Sequence, residues 1–424
     1  MSDINKNKFV FVSDREKEHD EARKSLTYWA DAFRRLRKSK PAMFGLAGVI
    51  LVVLFGLIGP LFTNVSYSDQ ENDHRNLAPR LAIYEIEEGV FVHLSGDYNM
   101  FIVPEDGNLQ VLEVYEEEEE LEGRSDVGEM LSPSEMRKQR EEEAAKVENV
   151  NLIKYMYGEE FIELDYSFKL ERDEKGHDFD FAITYKGNTV NYPAKTVANK
   201  LYPFGTDSLG RDLLTRVMFG ARISLLVAAA ATLVNFLIGV VYGAIAGYKG
   251  GRTDNIMMRI VDVINSVPLV LIIILLMVMF EAGLGTIILA IGLVYWVNMA
   301  RLVRGQMLSL KEQEFVLAAR ALGVRSRKII TRHLIPNAMG PIIVSMTMMI
   351  PSAIFTESFL SFIGLGVSAP MASWGTLANN ALSGLLTYPY QLMFPAGAIA
   401  ITMLAFNFLG DGLRDALDPR LRKG

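Results

Sequence analysis

Long runs without a single charged residue constrain this chain more than any other feature. Residues 42–62 give 21 such positions and residues 223–248 give 26, and a helix needs roughly 20 apolar residues to cross the hydrocarbon of a bilayer. Further apolar stretches follow at 263–280, 282–300, 334–356 and 391–410. Backbone amides in lipid must be satisfied within their own segment, so such runs fold as helices. Six spanning helices are expected, and outside one inserted region the chain reads as an all-α polytopic membrane protein.

Charge orients the spans. Arg34, Arg35, Arg37, Lys38 and Lys40 precede the first run, and eight Lys or Arg fall within 301–332, whereas 358–390 has no charged residue. Positive charge stays on the cytoplasmic side, so both termini are expected in the cytosol and the chain reads as a multi-pass membrane protein in contact with lipid. No short apolar segment with a small-residue cleavage site precedes the first run, so no removable signal peptide is expected. Residues 25–40 set Trp29, Phe33 and Leu36 on one side and bases on the other, the profile of a membrane-surface helix.

The net charge of −7 conceals a division: residues 64–200 hold 32 acidic and 14 basic side chains, a net of −18, against +11 for the remainder. Alternating patterns at 81–94, 99–103, 109–115, 161–170 and 179–187 predict strands, and 132–150 predicts a solvated helix begun by Ser132 or Ser134. An extracytoplasmic α+β domain inserted over 64–200 is therefore expected. It divides a cytosolic tail (1–41) and first span (42–63) from a membrane core (201–411), whose cytosolic loop covers 304–336 and which ends in a cytosolic tail (412–424).

Several chemistries are excluded by what the chain lacks. Without cysteine there is no disulfide or CxxC site. The five histidines, at 19, 74, 93, 177 and 333, are too scattered for a metal cluster and are expected on surfaces. No GxxxxGK[ST] loop is present, so no nucleotide site is expected, and neither catalytic residues nor a bound cofactor. The basic charge lies in short loops beside apolar runs, which topology explains without nucleic acid.

Three stretches carry the functional reading. In 309–336, Ser309 and Glu312 form a capping box that predicts a helix from Leu310. Phe315, Ala318, Ala319 and Leu322 share one face, Gly323 ends the helix, Arg320, Arg325, Arg327 and Lys328 surround it, and Pro336 opens the next apolar segment. In 203–225, Asp207 or Ser208 is expected to cap the following helix and Gly210 to permit a close approach. The uncharged stretch 358–390 is rich in Gly, Ser, Asn and Pro. It predicts broken or re-entrant helices forming an outer gate, with Trp374 and Asn379 in it. Glu357 and Asp262 lie beside apolar runs, should face protein or water, and with Trp374 and Asn379 are the candidates for the substrate pathway or its gate. Glu357 would line the pathway or hold the gate loop, and Asp262 would line it or pair with Arg259. Pro268, Pro341 and Pro351 are expected to kink their helices.

The spacing Ala318, Ala319, Gly323 and Pro336 is similar to the "EAA" coupling loop of ABC importer permeases. EFVLAARALG and RHLIPN resemble, more closely, the C-type integral membrane subunit of oligopeptide and dipeptide importers. So do Thr206, Asp207, Gly210, Arg211 and Asp212, continuing through Gly220, Arg222 and Ser224, and likewise ESFLSFIGLGV followed by SWG, and the C-terminal AFNFLGDGLRDALDPRLR. The chain departs from that pattern at Leu317, where the loop's namesake Glu is expected, and in the length of its insertion. The resemblance implies a type I ABC importer permease fold, half of a translocation pathway, and peptide cargo, with nickel or another small solute as the alternative cargo and an ATP-independent carrier as the alternative mechanism. It implies a homologous second permease, two ATP-binding subunits that bind ATP and Mg, and an extracytoplasmic substrate-binding protein, and it implies that the membrane is a bacterial cytoplasmic membrane. Glu314, Phe315, Ala318, Ala319, Arg320, Leu322, Gly323 and Pro336 would couple to the ATPases.

Overall fold

The computed structural model describes residues 28–63, 65–104, 109–115, 152–167, 179–280, 283–367 and 370–418. Helix α1 (Tyr28–Lys38) and α2 (Lys40–Leu57) meet at Ser39, whose hydroxyl caps α2 by accepting from the Ala42 amide, with Pro41 in the first turn where its missing N–H costs nothing. The expected apolar side of α1 splits. Leu36 buries against Ala42 and Ala416 near the end of the last helix, while Trp29 and Phe33 stay exposed.

The membrane core follows the insertion. Helices α3 (Leu213–Lys249) and α6 (Leu284–Leu310) pack along their length, brought close by small residues: a Cβ on Gly243 would sit 2.3 Å from the Ala300 carbonyl oxygen. Between them run α4 (Gly251–Ser266) and α5 (Leu269–Met279), which meet at 81°. The single span expected over 263–280 is thus corrected. Residues 263–266 belong to the amphipathic α4, and Pro268, unable to donate to a preceding turn, starts a separate apolar helix of 11 residues. Helices α7 (Glu314–Ala321), α8 (Ser326–Phe362), α9 (Trp374–Asn380) and α10 (Tyr390–Leu417) complete the core. Among the described residues five helices are long and apolar enough to cross a membrane, or six with the bent α4–α5 pair counted as one.

Pro336 stands in the first turn of the α-helical segment Ile335–Phe362 of α8, as its sequence context predicts. The turn before it, Ile330–Leu334, is widened to π geometry, with the Ile335 amide donating to the Ile330 carbonyl. Such a widened turn takes up the clash and the lost hydrogen bond that proline imposes inside a helix. Pro341 and Pro351 lie further along α8, which runs on through both.

The insertion is two antiparallel sheets packed face to face. One has the order β4-β3-β2-β1-β9, from β1 (Arg80–Glu87), β2 (Val90–Leu94), β3 (Met100–Ile102), β4 (Gln110–Val111) and β9 (Lys195–Ala198). The other has the order β5-β6-β7-β8, from β5 (Leu152–Tyr157), β6 (Glu160–Asp165), β7 (Ala182–Tyr185) and β8 (Asn188–Val190). Tyr84, Ile86, Val92 and Met100 of the first meet Tyr155, Ile162, Leu164 and Ile183 of the second. The expected strands are found as β1, β2, β3, β4, β6 and β7. Strands β5, β8 and β9 are additional. The β7–β8 turn places Lys186 and Gly187 both at positive φ, as a two-residue hairpin loop of type I′ requires. The helix expected over 132–150 falls outside the described residues.

One histidine departs from its expected surface position. His93 is buried on β2, where its Nδ1–H donates to the Ala82 carbonyl at 2.8 Å, and burial lowers its pKa from the ordinary value. His74, half-buried, lies 2.9 Å from the Tyr202 hydroxyl.

Candidate functional site

At one end of the core, α6 continues through Ser309 to Leu310, so no capping box starts a helix there. The chain turns, with the Gln313 amide on the Leu310 carbonyl, and α7 begins at Glu314 with Gln313 at its N-cap and no side-chain cap. The expected apolar face of α7 divides in two. Ala319 turns inward with Val316, a residue the sequence reading omits, and both pack among Val303, Met307, Ile329 and Leu334. Phe315, Ala318 and Leu322 turn outward, Leu322 being 83% exposed. Val316 and Ala319 are three residues apart and share a helix face, the spacing that would have identified the buried side.

Gly323 ends α7 at φ +70°. Its amide bonds to the Arg320 carbonyl and that of Val324 to the Ala319 carbonyl, the paired closure of a Schellman turn. Arg320 lies over the Tyr248 ring at 5.4 Å and Lys311 reaches the Gly247 carbonyl, which ties both ends of α7 to the end of α3. Arg304 grips Asp254 of α4 through two hydrogen bonds of 2.6 and 2.7 Å. Asp262 pairs with Arg301 at 3.1 Å rather than with Arg259, because α4 lies against α6 and brings Arg301 alongside. It is exposed, well apart from Glu357.

At the opposite end, the 206–224 signature closes on itself. Asp212, not Asp207, caps α3, accepting from the Leu214 and Thr215 amides. Asp207 instead holds the preceding turn, accepting from the Leu209 and Arg211 amides and from the Arg211 guanidinium at 2.7 Å. Gly210, at φ +71°, leaves no room for a side chain: a Cβ would sit 1.8 Å from the Glu71 carbonyl oxygen. Arg222 caps α2 by donating to the Gly56 and Leu57 carbonyls.

Ser224 leads into the uncharged stretch. It donates to Glu357 at 2.9 Å and accepts from the Trp374 amide. Glu357 is fully buried and also accepts from Ser361 at 2.8 Å and Ser358 at 3.4 Å. Its charge thus lies among hydroxyl donors, as burial of a carboxylate requires. Trp374 is fully buried at the start of α9, with its indole N–H on the Val217 carbonyl at 2.9 Å, and Ser373 and Thr376 close a capping box there. Asn379 donates to the Phe362 carbonyl, fastening α9 to the end of α8. Glu357, Trp374 and Asn379 therefore belong to one assembly around α9, and Phe315, Ala318, Ala319, Arg320, Leu322 and Gly323 to another around α7.

The insertion is bolted to this assembly around α9. Gln391 at the start of α10 donates to Asn76 at 2.9 Å and to the Thr206 carbonyl at 3.1 Å, and Tyr390 donates to the same carbonyl. The Thr206 hydroxyl accepts from the Leu77 amide and donates to the His74 carbonyl. These joints were not legible as motifs, since they link residues more than 100 positions apart.

Two family profiles match the chain: "Binding-protein-dependent transport system inner membrane component" over residues 239–423, and "N-terminal TM domain of oligopeptide transport permease C" over residues 27–79. The oligopeptide transport system permease protein OppC of Bacillus subtilis is 54% identical over 245 residues, 58% of this chain and 79% of that protein. The dipeptide transport system permease protein DppC of the same organism is 58% identical over 221 residues, 52% of this chain and 69% of that protein. A solved methionine ABC transporter, MetNI in an inward-facing conformation, is 18% identical with a TM-score of 0.41, over 48% of this chain and 96% of that chain.

Proposed function

The chain belongs to the family of permease subunits of oligopeptide and dipeptide transport systems, and from that premise we propose how its structure serves transport. It is the membrane-spanning permease of an ABC importer of oligopeptides or dipeptides and not itself an enzyme. ATP is hydrolysed on partner ATPase subunits, and a partner permease and a substrate-binding protein complete the importer. We place both termini in the cytosol and the insertion outside, with a type I permease arrangement in which this chain supplies half of the pathway and ATP and Mg bind the partners.

The packing of α7 carries the mechanism. Val316 and Ala319 seat it on the ends of α3, α6 and α8, while Phe315, Ala318 and Leu322 remain for a partner's groove. A force applied to that outward face moves α7 as a unit, because the Schellman closure and the Arg320 and Lys311 contacts hold it to the long helices. Those helices reach the outer assembly, where Glu357 and Ser224 join α8, α3 and α9. ATP-driven closure of the ATPases thereby tilts the core between inward- and outward-facing states. In this account Glu357 holds the gate segment in place and Trp374 wedges it, and neither needs to touch cargo.

The test is to purify the tagged chain in mild detergent with whatever accompanies it and to measure ATP hydrolysis with peptide pools. A second permease and ATPases should co-purify, and peptides should stimulate hydrolysis in the wild type but not with Gly323→Arg. A chain that purifies alone and moves peptide in liposomes without ATP would refute this function and favour a carrier.

A further inference from the structure

The insertion contains a cleft that transport through the core leaves unused. It has a volume of about 270 Å³ and opens on the face of the first sheet turned away from the sandwich core. Its floor is Leu81 and Ile83, and Phe91, Val103 and Leu109 contribute apolar walls. Directly opposed residues of an antiparallel pair share a face, so the register Leu81↔Val197 and Ile83↔Lys195 brings Val197 and Lys195 to the same side. The Lys195 ammonium stands 4.1 Å from the centre of the Phe91 ring, and Lys200 lines the cleft as well. In a segment of net charge −18, an apolar cleft bordered by two lysines is complementary to an anionic group with an apolar neighbour.

A second feature of the same strand points to the form of the ligand. The Asn199 amide bonds to the Pro79 carbonyl, which fixes Val197 and Lys195 as the residues exchanging backbone hydrogen bonds with β1. Thr196 and Ala198 therefore direct their N–H and C=O groups away from β1, and among the described residues no strand lies beyond β9. An open edge of this kind accepts an extended chain as an added strand. Ala198 also lines the cleft, so edge and cavity are contiguous.

We infer that β9 and this cleft dock the C-terminal end of an extended peptide. The backbone adds to the β9 edge, the last side chain, an apolar one, enters over Leu81 and Ile83, and the terminal carboxylate meets Lys195. The inference rests on the peptide-import reading for the source of the ligand, which is peptide arriving at the outer surface.

The experiment uses the full-length chain in lipid nanodiscs and the fluorescence anisotropy of a fluorescein-labelled pentapeptide ending in leucine, as free acid and as C-terminal amide. Saturable binding of the free acid is expected, weakened about tenfold or more by amidation or by Lys195→Ala, because a charge-assisted contact is lost. Thr196→Pro removes one edge donor while sparing the β1 bonds, so it should weaken binding in a chain whose β-sheet circular dichroism is unchanged. Equal binding of acid and amide, or binding indifferent to both substitutions, overturns the proposal, as does an absence of saturable binding. Preference for a tetraglutamate probe overturns it too, by assigning the cleft to acidic segments. Peptide-stimulated ATPase activity of the assembled importer is read separately. An active importer without the free-acid preference refutes only this site, and docking without stimulation refutes the import reading.

Discussion

The 206–224 turn and helix α7 are both recognisable by short sequence patterns, yet they spend their residues in opposite ways. In the turn, Thr206, Asp207, Asp212, Arg222 and Ser224 all find partners within the chain, and Gly210 leaves no space at all. In α7 Val316 and Ala319 pack inward, while Phe315, Ala318 and Leu322 face outward, Leu322 being 83% exposed. An inward-directed motif fixes a shape, and an outward-directed one makes an offer to another molecule. Changes in the turn should act on folding, and changes on the outer side of α7 should act on assembly and coupling.

The largest effect is expected where the turn meets α9. Trp374→Ala leaves a cavity where a fully buried ring stood and should cost about 3–5 kcal/mol. The thermal midpoint of the purified chain should fall sharply, and a midpoint unchanged by the loss would remove Trp374 from the outer core. Asp254→Asn strips the charge from a two-pronged grip on Arg304 and should cost about 1.5–3 kcal/mol, seen as faster hydrogen exchange in α4. A smaller, pH-dependent term comes from His93. Burial lowers its pKa, so the unfolded state binds the proton more readily. Its contribution is complete above the unfolded value of about 6.5 and is lost as pH falls from there through the folded pKa. Hydrogen-exchange protection factors in β1–β3, corrected for the intrinsic pH dependence of exchange, should fall on acidification over that window in the wild type and less so in His93→Gln. The smallest change concerns Leu317, which is exposed. Leu317→Glu should leave stability within about 0.5 kcal/mol, as expected for an exposed surface position. A larger loss would show that α7 hides more of its surface than the comparison allows.

What was legible followed the physical range of each signal. Apolar runs marked the spans because lipid permits only internally bonded backbone, and Pro268 marked a kink, which the structure makes a full break of 81° between α4 and α5. Strand β1 was visible by alternation, whereas the sequences of β8 (NTV) and β9 (KTVA) do not alternate apolar with polar residues. The capping box at Ser309 failed because the packing of α6 against α3 carries that helix past the local signal. Tertiary packing also decided the cap of α3, giving it to Asp212 while Asp207 was taken by Arg211. The joints Asn76–Gln391 and Ser224–Glu357 could not be read from either partner alone, since each is a polar residue that acquires meaning only when the fold supplies its mate.

The central claim is that the outward side of α7 docks on an ATPase subunit while its inward side is seated on this chain. The sequence contains no cysteine, so single substitutions Ala318→Cys and Val316→Cys allow thiol cross-linking within the purified importer without further engineering. A short bifunctional reagent should join the cysteine at 318 to an ATP-binding subunit and should leave the one at 316 unreacted until the complex is denatured. Cross-linking at 316 but not 318, or at neither in a complex that retains peptide-stimulated ATP hydrolysis, would contradict the account.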